Sequence, residues 1–549
     1  MMELDDKIAR KWKELECHPP GDTGRAMALY SLADSLDDRF LEMDDIADLE
    51  EAIALHQSAL DLRSAGHSDR SDSLYNLALC FSHRYDKQGT VADLEEAITL
   101  GRAALELRSP GHSDRAFTLL NLGCYLRNRF LEFGANGDLD EAISLHKSAL
   151  DLRPPGDSSR SDSLHNLALC FSDRYDKQGA IADLDEAITL GRAALDLCPP
   201  GHSDRACTLN DLAIDMRRKF LKSGANGDLD EAFLLHRSAL DLRPPGHSDR
   251  SDSLHNLALC FSNRYDKKGS IADLEEAITL GRAALELYSP GHSDHAGTLI
   301  NLADDMRRKF LKSGVNGDLD EAFSLHRSAL DISPAGHFDR SYLLHSVTLC
   351  LSNRYDKQGS IADLEKAITL GRAALDLRPP GHFGRAQTLN TLADDMRRKF
   401  LKFGGNDDLD EAISLHQSAL DLRPAGHSDR WSSLHNLAGC FKDRYDKQGT
   451  IADLVQAITL GRAALELCSP GHFGRASTLS ALAVCLEDRF QQFGANGDLD
   501  ESIALHQSAS NLRVAHSASL GDLSLDSDQS GMSVKLMSVI EDLVTEDLD

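Results

Sequence analysis

The chain has 549 residues, 41% of them hydrophobic and 27% charged, and a formal net charge of -29. That is enough apolar material for several packed domains or one long array, while the charge sets it against phosphate-rich partners, so neither nucleic acid nor an anionic membrane surface is expected. No stretch approaches the length of a membrane span, the first residues lack the apolar core of a signal peptide, and the eleven cysteines include no C-x-x-C pair, which together predict reduced thiols in a cytoplasmic protein.

Residues 1–20 are expected to form an N-terminal capping helix. They align 90 residues ahead with a second helix of the repeat described below, but carry Lys7, Lys11 and Glu14 where that copy has Ala97, Gly101 and Ala104. Polar residues at those positions suit a face left wet. From residue 21 to 515 the chain repeats itself. Taking Gly21 as a marker, a glycine returns every 45 residues, at Gly66, Gly111 and so on to Gly471, giving eleven units without an insertion. Two flavours alternate, "SDSLHNLALCFSNRYDKKG" (251–269) and "ACTLNDLAIDMRRKFLKSG" (206–224), so the duplicated length is 90 residues.

Each unit predicts two helices and no strand. In the unit at 66, Leu74, Leu77, Ala78, Phe81 and Tyr85 make one apolar stripe of helical period, and Leu94, Ala97, Ile98, Gly101, Ala104 and Leu105 make another. Six cysteines (Cys80, Cys170, Cys260, Cys350, Cys440, Cys485) fall on one repeat position, where small buried residues are expected. Asp69 and its counterparts are predicted to cap the first helix, a glycine such as Gly89 to end it, and Asp93 and its counterparts to cap the second. "GHSDR" (66–70) sets histidine, serine and aspartate in a row, yet Phe338, Phe383 and Phe473 replace the serine in other copies. Adjacent residues cannot converge as a catalytic triad, so the stretch reads as helix-to-helix punctuation.

A position repeated along a stack becomes a column. Three columns are candidates for function. The first is Asn76, Asn121, Asn166, Asn256, Asn301 and Asn436, with Asp211 in line; asparagine is a poor mid-helix residue, so a bond to a partner or to an adjacent helix should offset its cost. The second is basic in all eleven copies, Arg39 and Arg84 through to Arg489, in the last turn of the first helix, where pairing with aspartates is expected. In three units it swells to "MRRKF", bringing Arg217, Arg218, Arg307, Arg308, Arg397 and Arg398, which are candidates for gripping an acidic segment of a partner. The third is histidine, including His56, His146, His236, His326, His416 and His506. Identical side chains on helices 8–10 Å apart cannot meet at one ion, so no metal and no cofactor is expected. No phosphate-binding loop, nucleophile elbow or dinucleotide fingerprint is present, and no enzymatic activity is expected.

The pattern "SLYNLALCF…DLEEAITLGRAALEL…P" (73–110) resembles a tetratricopeptide repeat, in Leu74, Leu77, Ala78 and Phe81, in Ala97, Gly101 and Ala104, and in Pro110. The resemblance implies an all-α fold, an α-solenoid superhelix of eleven helix hairpins whose first helices line a concave, peptide-binding face. It also implies that the asparagine column hydrogen-bonds a bound peptide's backbone. The repeats are longer than the family's usual 34 residues. Such long repeats are similar to those of kinesin light chains, and closer to fungal and bacterial arrays that precede a caspase-like CHAT protease domain. The function expected is therefore a non-enzymatic scaffold for a protein or peptide partner. The alternative is the sensor arm of a CHAT-type protease or immune-type system whose catalytic domain this chain does not contain.

Past the array, residues 516–531 read as a disordered linker and 532–549 as an amphipathic helix with Leu536, Met537, Ile540, Leu543 and Val544 on one face.

Overall fold

The computed structural model describes residues 2–288, 293–333, 340–382, 384–470, 472 and 474–519. Among these residues lie 23 helices and no strand. The amphipathic segment expected at 532–549 lies outside the described residues. The last helix, Asn496–Ser519, runs through the array's expected end, so 516–519 are helical rather than part of a linker. The chain divides into two compact bodies, Met1–Asn301 and Leu302–Asp549. Each is an α-solenoid built from the predicted hairpins.

One unit explains the others. Its first helix is Arg70–Gln88 and its second Val91–Leu107. Leu74, Leu77 and Ala78 on the first, and Leu94, Ala97, Ile98 and Ala104 on the second, are buried in one cluster, and Cys80 is buried against the preceding unit. The small residues let the two backbones close, and the cysteine column is buried throughout at Cys80, Cys170, Cys260, Cys350, Cys440 and Cys485. Gly89 ends the first helix at φ +67°, a left-handed geometry that costs a side-chain-bearing residue, and its N–H reaches the Tyr85 carbonyl at 2.7 Å. All ten such glycines share this conformation, and Asp44 adopts it at φ +60° in the unit that lacks one.

The caps differ from expectation. Asp69 precedes the first helix, but its side chain makes no capping bond. The histidine of "GHSDR" does the work: the Asp69 N–H donates to His67 Nδ1 at 3.2 Å. The same bond recurs at His112, His202, His247, His382, His427 and His472, and where the histidine is aspartate, Asp22 and Asp157 accept from the residue two further on. An acceptor two residues ahead closes a tight turn that carries the chain into the next helix. Asp93 is likewise not the cap of the second helix but its third residue. It receives Arg84 through both nitrogens of one fork, at 2.9 and 2.6 Å.

Within each body the first helices of successive units touch: Arg25–Met43 meets Arg70–Gln88, and so on along the stack. The second helices of successive units lie farther apart and are bridged by long side chains, as from Arg102 to Glu141 at 2.8 Å. The first helices therefore form the closer-packed wall of each stack. The two flavours fit together in pairs. Gly101, Gly191, Gly371 and Gly461 on alternate second helices leave room for a leucine of the following unit, Leu122, Leu212, Leu392 and Leu482, which would lie 3.3–3.4 Å from an added Cβ. The intervening second helices carry histidine there. His146, His236, His326 and His416 are fully buried.

The N-terminal helix Met2–Glu16 packs Ile8 and Leu15 onto the first unit and sends Lys7 to Asp38 at 2.9 Å.

Candidate functional site

The wall of first helices carries the asparagine and basic columns, and the histidine column lies on the second helices behind it. The basic column, near the end of the first helix, is spent largely inside each unit, while Lys219 reaches back to Asp185 of the unit before. Arg39, Arg84, Arg129, Arg174, Arg264, Arg354, Arg444 and Arg489 each pair, at 2.6–2.7 Å, with the aspartate nine residues on, at the start of the second helix. Such a fork locks the two helices of a hairpin at their tight end. The Arg354 hydrogen bond holds Asp363 below the usual carboxylate range.

The asparagine column is tied to the helix before it. Asn76 Nδ2 donates to Tyr30 Oη and to Asp34 Oδ1, both at 2.7 Å. Asn121 donates to Tyr75 Oη at 2.8 Å, Asn256 to Asn210 Oδ1 at 3.3 Å, and Asn436 to Asp394 at 3.1 Å. Asn166 instead donates to the carbonyl of Asp162 in its own helix and accepts from Cys124 Sγ. Asn301 stands at the same position, half-buried, on the helix Ser293–Ser313. With the amide nitrogen held back, Oδ1 of Asn76, Asn121 and Asn436 is the end left to receive a donor.

The arginine clusters sort into two kinds. Arg218 donates to Ser172, Asp215 and Asp176 at 2.5–3.0 Å. Arg398 holds Asp356 and Asp395 at 2.7 and 2.9 Å, and Arg308 holds Asp305 at 2.8 Å. The shared aspartates are buried enough that desolvation lifts Asp215 to about 6 and Asp395 to about 7.

Arg397 belongs to a ladder that links position 37 of one unit to a residue 46 further on. Its rungs are Asp37–His83 at 3.0 Å, Arg127–Asp173 and Arg397–Asp443 at 2.5 Å, and Lys442–Asp488 at 2.8 Å. Arg217 and Arg307 occupy the same position, but the residues 46 on are Asn263 and Asn353. Among the described residues neither arginine makes an ion pair, and Nε of each is buried without a hydrogen-bond partner. Asn263 Oδ1 and Asn353 Nδ2 are also without partners. Desolvation pushes Arg217 below its ordinary value. Two of the six arginines therefore present charge on the first-helix wall with no carboxylate in ion-pair contact among the described residues, Asp176 and Asp304 acting on them only at longer range.

The histidine column sits behind this wall, each ring with its own neighbours. His236 Nδ1 meets Asn210 Oδ1 at 3.2 Å, His416 Nδ1 meets Asn390 Oδ1 at 3.0 Å, and His326 Nε2 lies 3.4 Å from Asp304. Burial pushes His56 and His146 down to about 4 and His236 to about 3.

One set of residues escaped the sequence reading. Arg63, Arg108, Arg153, Arg243, Arg378 and Arg423 follow the second helices, where a loop charge would ordinarily be wet, yet all are buried; Arg63 is 1% exposed. Each fastens a unit to the next. Arg63 Nη1 reaches the Asp69 carbonyl at 2.9 Å and Ser73 Oγ at 2.7 Å, with the guanidinium 4.7 Å over the Tyr30 ring. The signal was present as an arginine recurring at the same step beside the marker glycine.

No helix among the described residues is long and apolar enough to cross a membrane. The sequence model of the family described as "Tetratricopeptide repeat" matches residues 160–204 and 250–295. No curated protein sequence matches the chain. Among solved structures, the human IFIT1 dimer with PPP-AAAA is 14% identical over 93% of this chain and 94% of that one, with a TM-score of 0.35. A monomeric IFIT1 mutant with Gppp-AAAA is 16% identical over 93% and 95%, also at a TM-score of 0.35. Superposition that loose bears on neither ligand nor partner. The family's model thus covers two of the eleven units, and those two share their register with the rest of the array.

Proposed function

We propose that the protein is a non-enzymatic scaffold whose first-helix wall holds a segment of a partner protein carrying acidic side chains. The observation that carries this reading is the pair of missing rungs. Arg127 and Arg397 have Asp173 and Asp443, while Arg217 and Arg307 face Asn263 and Asn353 and make no ion pair. A half-buried, unpaired guanidinium is costly, and an arriving carboxylate relieves that cost while gaining a bidentate partner. The outward Oδ1 atoms of Asn76, Asn121 and Asn436 supply acceptors for the segment's backbone N–H groups. Arg218, Arg308, Arg397 and Arg398 serve first to hold the wall together, since a ligand must displace their aspartates to reach them.

The test is to supply the missing rungs from within. Asn263→Asp and Asn353→Asp should raise stability and, together, weaken capture of the partner from the protein's own cell extract by about tenfold or more. Partner capture unchanged in the double variant would refute the acidic-segment reading. Capture of RNA rather than protein would replace it.

A further inference from the structure

The buried arginines that join the units reveal a place where one is missing. Arg108 shows the site complete. Its Nη1 donates to Thr118 Oγ1 at 2.6 Å and to the Asp114 carbonyl at 3.3 Å, and its Nη2 donates to Asp72 Oδ1 at 2.7 Å. The guanidinium carbon stands 4.6 Å over the centroid of the Tyr75 ring. Two acceptors, a carboxylate and an aromatic face thus receive one planar cation.

Ninety residues on, the joint between the fourth and fifth units carries Cys198 in place of the arginine, and every receiving group remains. Asp162 stands for Asp72, Asp204 for Asp114, Thr208 for Thr118 and the His165 ring for Tyr75. All four, with Cys198 itself, line a hollow of about 280 Å³. The thiol is buried, meets the Thr208 and Ser161 hydroxyls, and ends three atoms short of the carbon at which a guanidinium branches, so it cannot fork as the arginine does. Asp162 receives the Ser161 hydroxyl at 3.2 Å and no guanidinium. Thr208 Oγ1 is turned to the Asp204 carbonyl at 3.0 Å, as Thr118 is to Asp114 at 3.1 Å, so the frame of the site is already set.

The other joints after the first unit that lack arginine are built differently, and the one at Ser333 has Gly297 where the carboxylate would stand. Tyr288 takes the position a further ninety residues on, and its hydroxyl donates to Asp252, the counterpart of Asp72, at 3.2 Å. At Cys468 the carboxylate is absent, replaced by Ser432, and the Trp431 ring crowds the joint, 2.3 Å from where a side chain on Gly474 would start. Only at Cys198, among the described joints, do the carboxylate, the acceptors and the ring persist without a donor. Partial burial raises the Asp162 pKa, with the charges of Arg153 and His202 acting against it.

We propose that this hollow binds a guanidinium group supplied from outside the fold. The group can come from a free small guanidine or from an arginine side chain of another protein, and the chemistry recognised is the same: a planar cation stacked on His165, forked between Asp162 and the Thr208–Asp204 pair. The site stands on the comparison of joints within the chain and is independent of the acidic-segment reading of the first-helix wall.

The experiment titrates the whole protein with ethylguanidinium, with propylammonium, and with the peptides Gly-Gly-Arg-Gly-Gly and Gly-Gly-Lys-Gly-Gly, using calorimetry and thermal shift. Ethylguanidinium should bind saturably and at least about tenfold more tightly than propylammonium, because an ammonium cannot fork. Cys198→Arg should fill the hollow with the chain's own side chain, raise the melting temperature and abolish binding. Asp162→Asn should weaken binding about tenfold while leaving the fold intact. An arginine peptide that binds more tightly than ethylguanidinium assigns the site to a protein partner; equal affinity assigns it to a free guanidine. Absence of saturable ethylguanidinium binding, equal binding of the ammonium, or binding that survives Cys198→Arg would overturn the proposal.

Discussion

Removing the guanidinium at a complete joint gives the most direct measure of what holds one unit to the next. Arg108→Ala deletes the donors to Thr118 Oγ1 and the Asp114 carbonyl, the pair with Asp72 and the stacking on Tyr75, from a side chain that is 2% exposed. The two buried bonds from a charged donor are worth about 1.5–2 kcal/mol net. Asp72 is 40% exposed and rehydrates when its partner leaves, so that pair is discounted to about 0.5 kcal/mol. The ring contact adds about 1 kcal/mol, for a total near 3 kcal/mol. Because an array can open at one joint without unfolding elsewhere, the assay is hydrogen exchange read by mass spectrometry, supported by urea denaturation. Amides in the first turns of Arg115–Phe133 should exchange about a hundredfold faster, with distant units unchanged. The exposed Arg102, paired with Glu141, is the control, and Arg102→Ala should change exchange by less than about threefold. Equal effects from the two variants, or none from Arg108→Ala, would refute the assignment of the joint to the buried arginine. In the unaltered protein the joint at Cys198 should already exchange faster than those at Arg108 and Arg153.

The hairpin fork predicts that Arg84→Ala and Asp93→Ala couple by about 1–2 kcal/mol in a double-mutant cycle followed by urea denaturation, and additivity would show the fork to be idle. Asp44→Gly should raise stability by about 1 kcal/mol in thermal melts, since it relieves a left-handed backbone at the loss of an exposed ion pair with Lys87. The buried histidines give a pH dependence. His56, His146, His236 and His345 titrate near 3–4 when folded, below the ordinary histidine value, because burial disfavours their charged form. Their contribution is complete above about pH 6.5 and is lost as pH falls toward 4, by about 2 kcal/mol per ring at pH 5. Asp34, Asp215 and Asp395, raised to about 6–7 by burial, oppose this over the same range. His236→Gln should therefore flatten the decline between pH 7 and pH 5, and an unchanged slope would count against a buried neutral ring.

The period, the helix pairs and the glycine stops were legible because each depends on residues close in sequence, and a stripe such as Leu74, Leu77, Ala78 and Phe81 fixes its own face. The caps were misread because aspartate is the commoner acceptor before a helix; the sequence offers His67 two residues earlier, and only the turn geometry shows that its Nδ1 takes the bond. Asp93 looked like a cap for the same reason and proved to be one half of a fork whose other half, Arg84, lies across the tight end of the hairpin. The buried arginines were invisible because burial of Arg63 depends on how the next unit leans over the loop. The gap at Arg217 could be recognised only once first helices were seen to be staggered so that residue 217 faces 263; its own composition is that of Arg127 and Arg397, which are paired.

The alternation of glycine and histidine on successive second helices has a consequence for how such a protein can change in length. A leucine of the following unit leans into Gly101, Gly191, Gly371 and Gly461, while the other second helices carry at that position an imidazole that meets the first helix of its own hairpin, as His236 meets Asn210. Excising a single hairpin would bring two like surfaces together and leave either a steric overlap or a void at the seam. Excising two neighbours restores the original match at once. Growth or shrinkage of the gene by unequal recombination is thus tolerated in steps of two hairpins, and a shortened form built that way should fold as readily as its parent, whereas one cut at an odd step should not.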